Sequence, residues 1–366
     1  MARAPASDAP APEPDRRDGA PHPRESTALF GHAAAEQDIL AAIASGKLHS
    51  GWLLSGPEGI GKATLAYRMA ATLLAGDPSP ATLGLPPDHP DARLLRSGAH
   101  PRLFVLRRGL DDRGNLRSVI SVDEARRLRD FFGLSAADGG RRVVIVDAAD
   151  ELNPNAANAI LKLLEEPPPR ATLLLVAHQP ARLLPTIRSR CRTLRLSPLK
   201  PSDLARALDA IGLATASPDR LAELASGSVG RAVTLEAGGG LDLYADLVAL
   251  LATLPRLDRP RAIRLAESAS ARSEGRLDLL LDLLDLLLTR LARAGLQGPP
   301  PEAAPGESAL LARLAPHDLA ARAWADRQAT ASARARRGQA VNLDPAALLL
   351  DMLLQIEQTA RTAAAA

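Results

Sequence analysis

A glycine-rich loop ahead of a helical pattern is the first feature of this sequence that could do chemistry. The run from Ser55 to Lys62 reads Ser-Gly-Pro-Glu-Gly-Ile-Gly-Lys, and its outer glycines have the spacing of a phosphate loop. Glycines let successive backbone N–H groups curl around an anion, and the following helix N-terminus adds partial positive charge. The run therefore predicts phosphate binding, and not merely a strand-to-helix turn, by the residues Gly56, Gly59, Gly61 and Lys62.

Two positions that a phosphate-loop ATPase needs are occupied by alanine. The residue after the loop lysine is normally Ser or Thr, whose hydroxyl binds Mg²⁺, but here it is Ala63. Thr64 follows about 100° further around the helix and is expected to point elsewhere. Asp147 ends an apolar strand, where it can hold Mg²⁺ through water or simply cap the strand end. The glutamate expected after it is replaced by Ala148, so we expect an inactive or very weak ATPase that requires neither ATP nor Mg²⁺.

The elements that position these residues are short apolar runs alternating with helical patterns, from about Ser26 to Leu196. This alternation predicts an α/β domain with a parallel sheet covered on both faces. Its strands are expected at residues 52–54, 103–106, 143–146, 173–176 and 193–196. The full prediction is a disordered, Pro- and Ala-rich tail at 1–24, an α/β domain at 25–196, a small helical domain at 197–237 and a larger helical domain at 238–366.

Composition excludes several other classes of protein. The 366 residues include 45 basic and 42 acidic side chains, a balance that argues against a strongly basic DNA-binding module. A single cysteine, Cys191, cannot form an internal disulfide or a four-cysteine zinc site, which suits a reducing cytoplasm. The most leucine-rich stretch is interrupted by Asp278, Asp282 and Asp285, which indicates an amphipathic bundle helix and not a membrane span.

The stretch from Asp147 to Cys191 resembles the clamp-loader branch of the AAA+ superfamily. The resemblance depends chiefly on the run from Leu164 to Pro168, Leu-Glu-Glu-Pro-Pro, and on the triplet Ser189-Arg190-Cys191. Phe30-Gly31-His32 and the alanine-substituted phosphate loop add to it. The resemblance is clear over residues 28–236 and implies an AAA+ phosphate-loop domain with a five-stranded parallel sheet, a helical lid domain and a C-terminal helical collar domain.

The resemblance also implies roles for three individual residues. Arg190, the arginine of the triplet, would act as an arginine finger in a neighbouring subunit's nucleotide site, since a guanidinium is always charged and forms a planar fork. The alternative is an ordinary surface arginine paired with a carboxylate. Arg231 falls where the second sensor arginine is expected and could touch nucleotide, or be a solvated residue at a helix start. His178 is a poor substitute for the polar sensor of the γ-phosphate.

The function implied is that of a stator subunit of the bacterial DNA polymerase III clamp loader. Its partners would be the gamma/tau and delta subunits, with the sliding clamp and primer-template DNA reached through the complex and no membrane involved. Related subunits often carry a four-cysteine zinc module, but no cysteine lies between Thr72 and His100, so zinc is not expected. The alternative is an active gamma/tau-like motor ATPase, which Ala63 and Ala148 disfavour. A small-molecule kinase would leave Leu164–Pro168 and the triplet at Ser189 unexplained.

Overall fold

The computed structural model describes residues 13–17, 19–112, 114–133, 139–269 and 275–363. The chain divides into two compact units. The first comprises residues 1–213 together with 227–231, and the second comprises residues 214–226 together with 232–366.

The first unit is built around a five-stranded, wholly parallel sheet, as the sequence predicted. The strands follow the spatial order β2-β3-β4-β1-β5. Every residue of β1 and β4 is buried, as are the last five of β3, because both faces of the sheet are covered. The strand bounds are β1 Gly51–Ser55, β2 Leu103–Leu106, β3 Arg142–Asp147, β4 Ala171–Ala177 and β5 Arg192–Arg195.

The helices of the first unit begin and end where local chemistry dictates. The side chain of Asn153 accepts a hydrogen bond of 2.8 Å from the Ala156 N–H and caps α5. The prolines that follow Glu166 end this helix, as the sequence predicted. The bounds are α1 Ala33–Ala44, α2 Lys62–Ala75, α3 Pro90–Arg96, α4 Val122–Gly133, α5 Pro154–Glu165, α6 Pro185–Arg188 and α7 Pro201–Ala210.

Helices are the only regular secondary structure in the described part of the second unit. The carboxylate of Asp285 on α12 accepts hydrogen bonds from Gln328 and Ser332 of α14, while leucines of α12 are buried. This leucine-rich helix is amphipathic, as predicted, and no helix among the described residues is long and apolar enough to cross a membrane. The bounds are α8 Pro218–Ala225, α9 Val229–Ala237 (whose first turn, to Arg231, groups with the first unit), α10 Gly240–Leu251, α11 Arg259–Ala269, α12 Arg276–Gln297, α13 Glu307–Leu314, α14 Asp318–Ala340 and α15 Pro345–Ala363.

The observed division differs from the predicted boundaries at two places. Residues 197–213 and 227–231 group with the α/β unit and not with a separate lid at 197–237. Residues 13–17 and 19–24, predicted as part of a disordered tail, pack onto the α/β unit, where the Asp15 side chain is only 1% exposed. Their charged side chains find partners there, so low hydrophobicity did not keep them from docking. The remainder of the predicted tail, residues 1–12 and 18, lies outside the described residues.

Candidate nucleotide site and arginine finger

The loop between β1 and α2 curls because its three glycines adopt left-handed backbone angles. The φ values are 152°, 74° and 102° at Gly56, Gly59 and Gly61, a region that residues with a side chain rarely adopt. A Cβ atom at Gly56 would lie 2.3 Å from the Leu196 carbonyl oxygen. α2 begins directly after the loop and has no acidic residue in its first turn. The loop thus keeps the features of a cradle for an anion.

Lys62 is buried, and its ammonium group hydrogen-bonds to the loop itself. Its Nζ donates to the carbonyl oxygen of Gly56 at 2.8 Å and also to that of Pro57. Burial lowers the pKa of Lys62 to about 8, although nearby carboxylates, Asp147 foremost, act in the opposite direction. The Lys62 ammonium group therefore lies where it could contact an anion bound by the loop. In this structure its hydrogen bonds go to carbonyl oxygens of the loop itself.

Asp147 lies at the same edge of the sheet as the loop. It ends β3 in register with Val176, next to Ala177, which is in register with Ser55 at the end of β1. Burial raises the pKa of its carboxyl group to about 7, and the positive charge of Lys62 opposes that rise. The structure therefore brings Lys62 and Asp147 together at the carboxyl ends of neighbouring strands.

The ligands that would hold magnesium for hydrolysis are missing from this edge. Ala63 in the first turn of α2 and Ala148 after β3 present only methyl groups. Thr64 is half-buried in the same helical turn, about 100° further around the axis than Ala63. Magnesium demands several oxygen ligands in octahedral geometry, and Asp147 alone remains of the expected protein set. This edge therefore lacks the hydroxyl and the second carboxylate expected of a catalytic Mg²⁺ site.

The two acidic residues that follow Ala148 are engaged elsewhere. Asp150 accepts hydrogen bonds from the backbone N–H groups of His178, at 2.9 Å, and Gln179, at 3.0 Å. Glu151 forms an ion pair of 3.1 Å with Arg108. A general base must reach the attacking water with an available carboxylate, and both of these are already committed to protein partners. No motif in the sequence predicted this role of Asp150, whose one signal is the tendency of aspartate to accept backbone N–H bonds.

His178 follows β4 at the position expected for a γ-phosphate sensor. Burial and, after it, the nearby Lys62 charge lower the pKa of its imidazole. Its Nδ1 atom is buried without a hydrogen-bond partner among the described residues. The lowered pKa disfavours the charged imidazolium that would attract a phosphate.

Residues 227–231 dock directly on the phosphate loop. The Ser228 hydroxyl donates to the Glu58 carbonyl oxygen at 2.8 Å, and the Gly230 N–H donates to the Gly59 carbonyl oxygen at 3.0 Å. A Cβ at Gly59 would lie 2.5 Å from the Ser228 hydroxyl oxygen, so glycine is needed for this approach. Arg231, whose N–H donates to Ser228 at 3.1 Å, is thereby held next to the loop.

His32 supports the loop from the other side. It is buried, and its Nε2 lies 2.7 Å from the Ile60 carbonyl oxygen. In the sequence His32 stands out only through the family resemblance, and this contact was not predicted. A single histidine gives no periodic signal in the sequence, so its support of the loop is visible only in the folded chain.

Arg190 lies at the opposite edge of the sheet from the phosphate loop. It precedes β5, whose first residue, Arg192, is in register with Trp52. A Cβ at Gly51, where β1 begins, would lie 3.2 Å from the Arg190 carbonyl oxygen. From there β1 runs five residues to the loop, and at a rise near 3.3 Å per residue it separates the two edges by about 13 Å.

The Arg190 side chain stays at that far edge and is 39% exposed. Its guanidinium donates to the Thr186 carbonyl oxygen at 3.1 Å and forms an ion pair of 3.0 Å with Glu165. An ion pair between two exposed side chains contributes little, about 0–1 kcal/mol, so the guanidinium can leave at low cost. Beside it, Cys191 packs partly buried against the hydrophobic core, and burial raises the pKa of its thiol to about 12, which disfavours the reactive thiolate.

Comparison with known proteins identifies relatives of the α/β unit. Residues 31–200 match the family model described as DNA polymerase III, delta subunit. The chain is 46% identical over 140 residues to the DNA polymerase III subunit delta' of Pseudomonas aeruginosa, covering 38% of this chain and 40% of that protein. It is 32% identical over 168 residues to the delta' subunit of Escherichia coli, covering 44% and 46%.

A related subunit aligns over a longer stretch at lower identity. The DNA polymerase III subunit tau of Escherichia coli is 28% identical over 251 residues, which cover 65% of this chain and 38% of that protein. The chain spans less than half the length of the curated delta' relatives it matches, 40% and 46% for the two described above.

Proposed function

We propose that this chain, whose residues 31–200 belong to the DNA polymerase III delta subunit family, works as a delta-prime-like stator subunit of a bacterial clamp loader in the cytoplasm. In this role it runs no ATPase of its own. It completes the assembly of subunits and donates Arg190 as an arginine finger to a neighbouring ATPase subunit. It thereby supports the ATP-driven loading of the sliding clamp onto primed DNA.

One observation carries this proposal, namely the separation of Arg190 from the chain's own nucleotide loop. The arginine lies at the amino edge of the sheet, about 13 Å from the edge that holds the loop. It is partly exposed and is held by a surface ion pair with Glu165 and a hydrogen bond to the Thr186 carbonyl oxygen. A charged, planar fork in that position is available to a nucleotide bound on an adjoining subunit.

The second candidate is an active motor subunit of the gamma/tau kind. The 28% identity to the Escherichia coli tau subunit favours it. Against it stand the missing hydroxyl at Ala63 and the missing carboxylate at Ala148. The engagement of Asp150 with His178 and Gln179 removes the nearest replacement. The stator role is therefore the better supported of the two.

The partners follow from the same role. A stator contacts the gamma/tau and delta subunits of the loader and meets the sliding clamp and the primer-template DNA only through the assembled complex. The near balance of 45 basic and 42 acidic residues gives no reason to assign this chain a DNA-binding surface of its own.

The proposal predicts that a loader reconstituted with the Lys62→Ala variant loads clamps as fast as one with the natural chain, within about twofold. A loader from which this chain is omitted is expected to fail. The Lys62 ammonium group hydrogen-bonds to the phosphate loop of its own chain. Under the stator role, no ATP hydrolysis takes place at that loop. The rate of clamp loading onto primed DNA, followed by fluorescence, is measured for both of these loaders. A loss of loading with Lys62→Ala as severe as with omission of the chain would favour the motor subunit.

A further inference from the structure

The N-terminal segment of residues 13–17 lies against the phosphate loop. Arg17 forms an ion pair with Glu58, a residue of the loop. A Cβ atom at Gly230 would lie 3.1 Å from Arg17 Nε, and Gly230 itself hydrogen-bonds to Gly59. The Arg17 side chain therefore lies against both the loop and residues 227–231, which are the two elements that would face a bound nucleotide.

Asp15 anchors the segment at the carboxyl edge of the sheet. Its nearly buried carboxylate pairs with Arg107, which follows β2, and with His22 at 3.2 Å. It also accepts a hydrogen bond of 3.5 Å from the Tyr67 hydroxyl on α2. Glu13 adds an ion pair of 2.9 Å with Arg107. Because these partners lie directly after β2, on α2 and at His22, the segment is fixed across the strand ends.

Asp15 and Arg17 also affect the pKa values of two side chains at the strand ends, Asp147 and His178. Burial raises the pKa of Asp147 to about 7, and the Asp15 carboxylate is the next contributor to that rise. Burial and Lys62 lower the pKa of His178, and the Arg17 charge adds to this effect. Asp15 and Arg17 thus act electrostatically on residues at the ends of β3 and β4, the strands that border the cradle.

We propose that residues 13–17 form an internal plug in this chain's own nucleotide site, with Arg17 competing with an incoming polyphosphate for the cradle. A nucleotide can enter only after the pair between Arg17 and Glu58 has broken and the segment has moved. The apparent affinity for nucleotide is then reduced by the fraction of molecules in which the plug is open. The inference deepens the proposed function, since it gives a reason for an idle site, but it does not involve Arg190.

The test is binding of N-methylanthraniloyl-ATP to the full-length chain, measured by fluorescence anisotropy with Mg²⁺ and with a chelator. We expect Arg17→Ala to bind about fivefold more tightly than the natural chain, which is the most that an ion pair between two exposed side chains would withhold. Arg16→Ala is the matched control, because Arg16 is an exposed arginine of the same segment, and its binding should stay within twofold. Unchanged or weaker binding by Arg17→Ala would overturn the plug, and weaker binding would make Arg17 a phosphate ligand instead.

A second measurement follows the plug itself by amide hydrogen exchange. Peptides that cover residues 13–25 should exchange faster in Arg17→Ala, and also in the natural chain at saturating ATP, while the Arg16→Ala peptides remain protected. Equal protection in all four samples would contradict the proposal. In the reconstituted loader Arg17→Ala should still support ATP turnover. A loader that fails although nucleotide binding responds as expected would count against the stator role and not against the plug.

Discussion

Replacing Arg190 with alanine is expected to lower ATP hydrolysis at the adjoining subunit's site by roughly a thousandfold, the lower end of what arginine fingers contribute. The guanidinium neutralises charge that develops on the transferring phosphoryl group, and no other group in the triplet Ser189-Arg190-Cys191 can do so. Arg190→Lys should recover only part of the rate, because an ammonium group keeps the charge but lacks the planar fork.

The measurement is single-turnover ATP hydrolysis by a reconstituted loader whose other ATPase sites are inactivated in their phosphate loops. Arg188→Ala is the matched control, since Arg188 is exposed and ends the short helix α6 two residues before Arg190. Its rate should remain within twofold of the natural loader. A rate for Arg190→Ala that equals the Arg188→Ala rate would mean that Arg190 is an ordinary surface arginine paired with Glu165.

The second large effect is expected from a buried ion pair in the helical unit. Arg290 on α12 holds the Glu307 carboxylate through two hydrogen bonds, of 2.6 Å and 3.2 Å. Glu307 is fully buried and also accepts from the Tyr244 hydroxyl at 2.5 Å and the Ala303 N–H at 2.7 Å. Arg290→Met leaves this carboxylate buried without its cation, so the free energy of unfolding should fall by about 3–5 kcal/mol.

Urea unfolding of the second unit, followed through Trp324 fluorescence in a Trp52→Phe background, measures this loss. Trp324 is buried in that unit, whereas Trp52 lies in the sheet of the other. Arg293→Met, an exposed arginine of the same helix, should change stability by less than about 0.5 kcal/mol. Adding Glu307→Gln to Arg290→Met should recover part of the loss, because no uncompensated charge remains buried. Equal effects of Arg290→Met and Arg293→Met would show that the pair does not stabilise the unit.

Those parts of the molecule that depend on short-range patterns could be predicted from the sequence. The apolar runs placed all five strands within two residues of their observed bounds, since strands buried on both faces read as continuous hydrophobic segments. The glycines at 56 and 61 predicted a curled loop because left-handed backbone angles favour glycine. The prolines after Glu166 predicted the end of α5.

The parts that depend on long-range polar contacts could not be predicted. Asp15 and Arg17 come from a Pro- and Ala-rich stretch that looks disordered, and charged partners far along the chain, Arg107 and Glu58, help to hold it in place. Ser228 lies 170 residues beyond Glu58 in the chain, and its hydrogen bond to the loop follows from the fold alone. Such contacts do not recur at a fixed spacing in the sequence, so they cannot be predicted from hydrophobic periodicity.

The most direct test of the stator role is ATP hydrolysis by the purified chain, measured as phosphate release with Mg²⁺ present. We predict no release above the background without protein, and no difference between the natural chain and Lys62→Ala. Hydrolysis by the isolated chain that Lys62→Ala abolishes would contradict this assignment, because it would show that the chain cuts ATP in its own site.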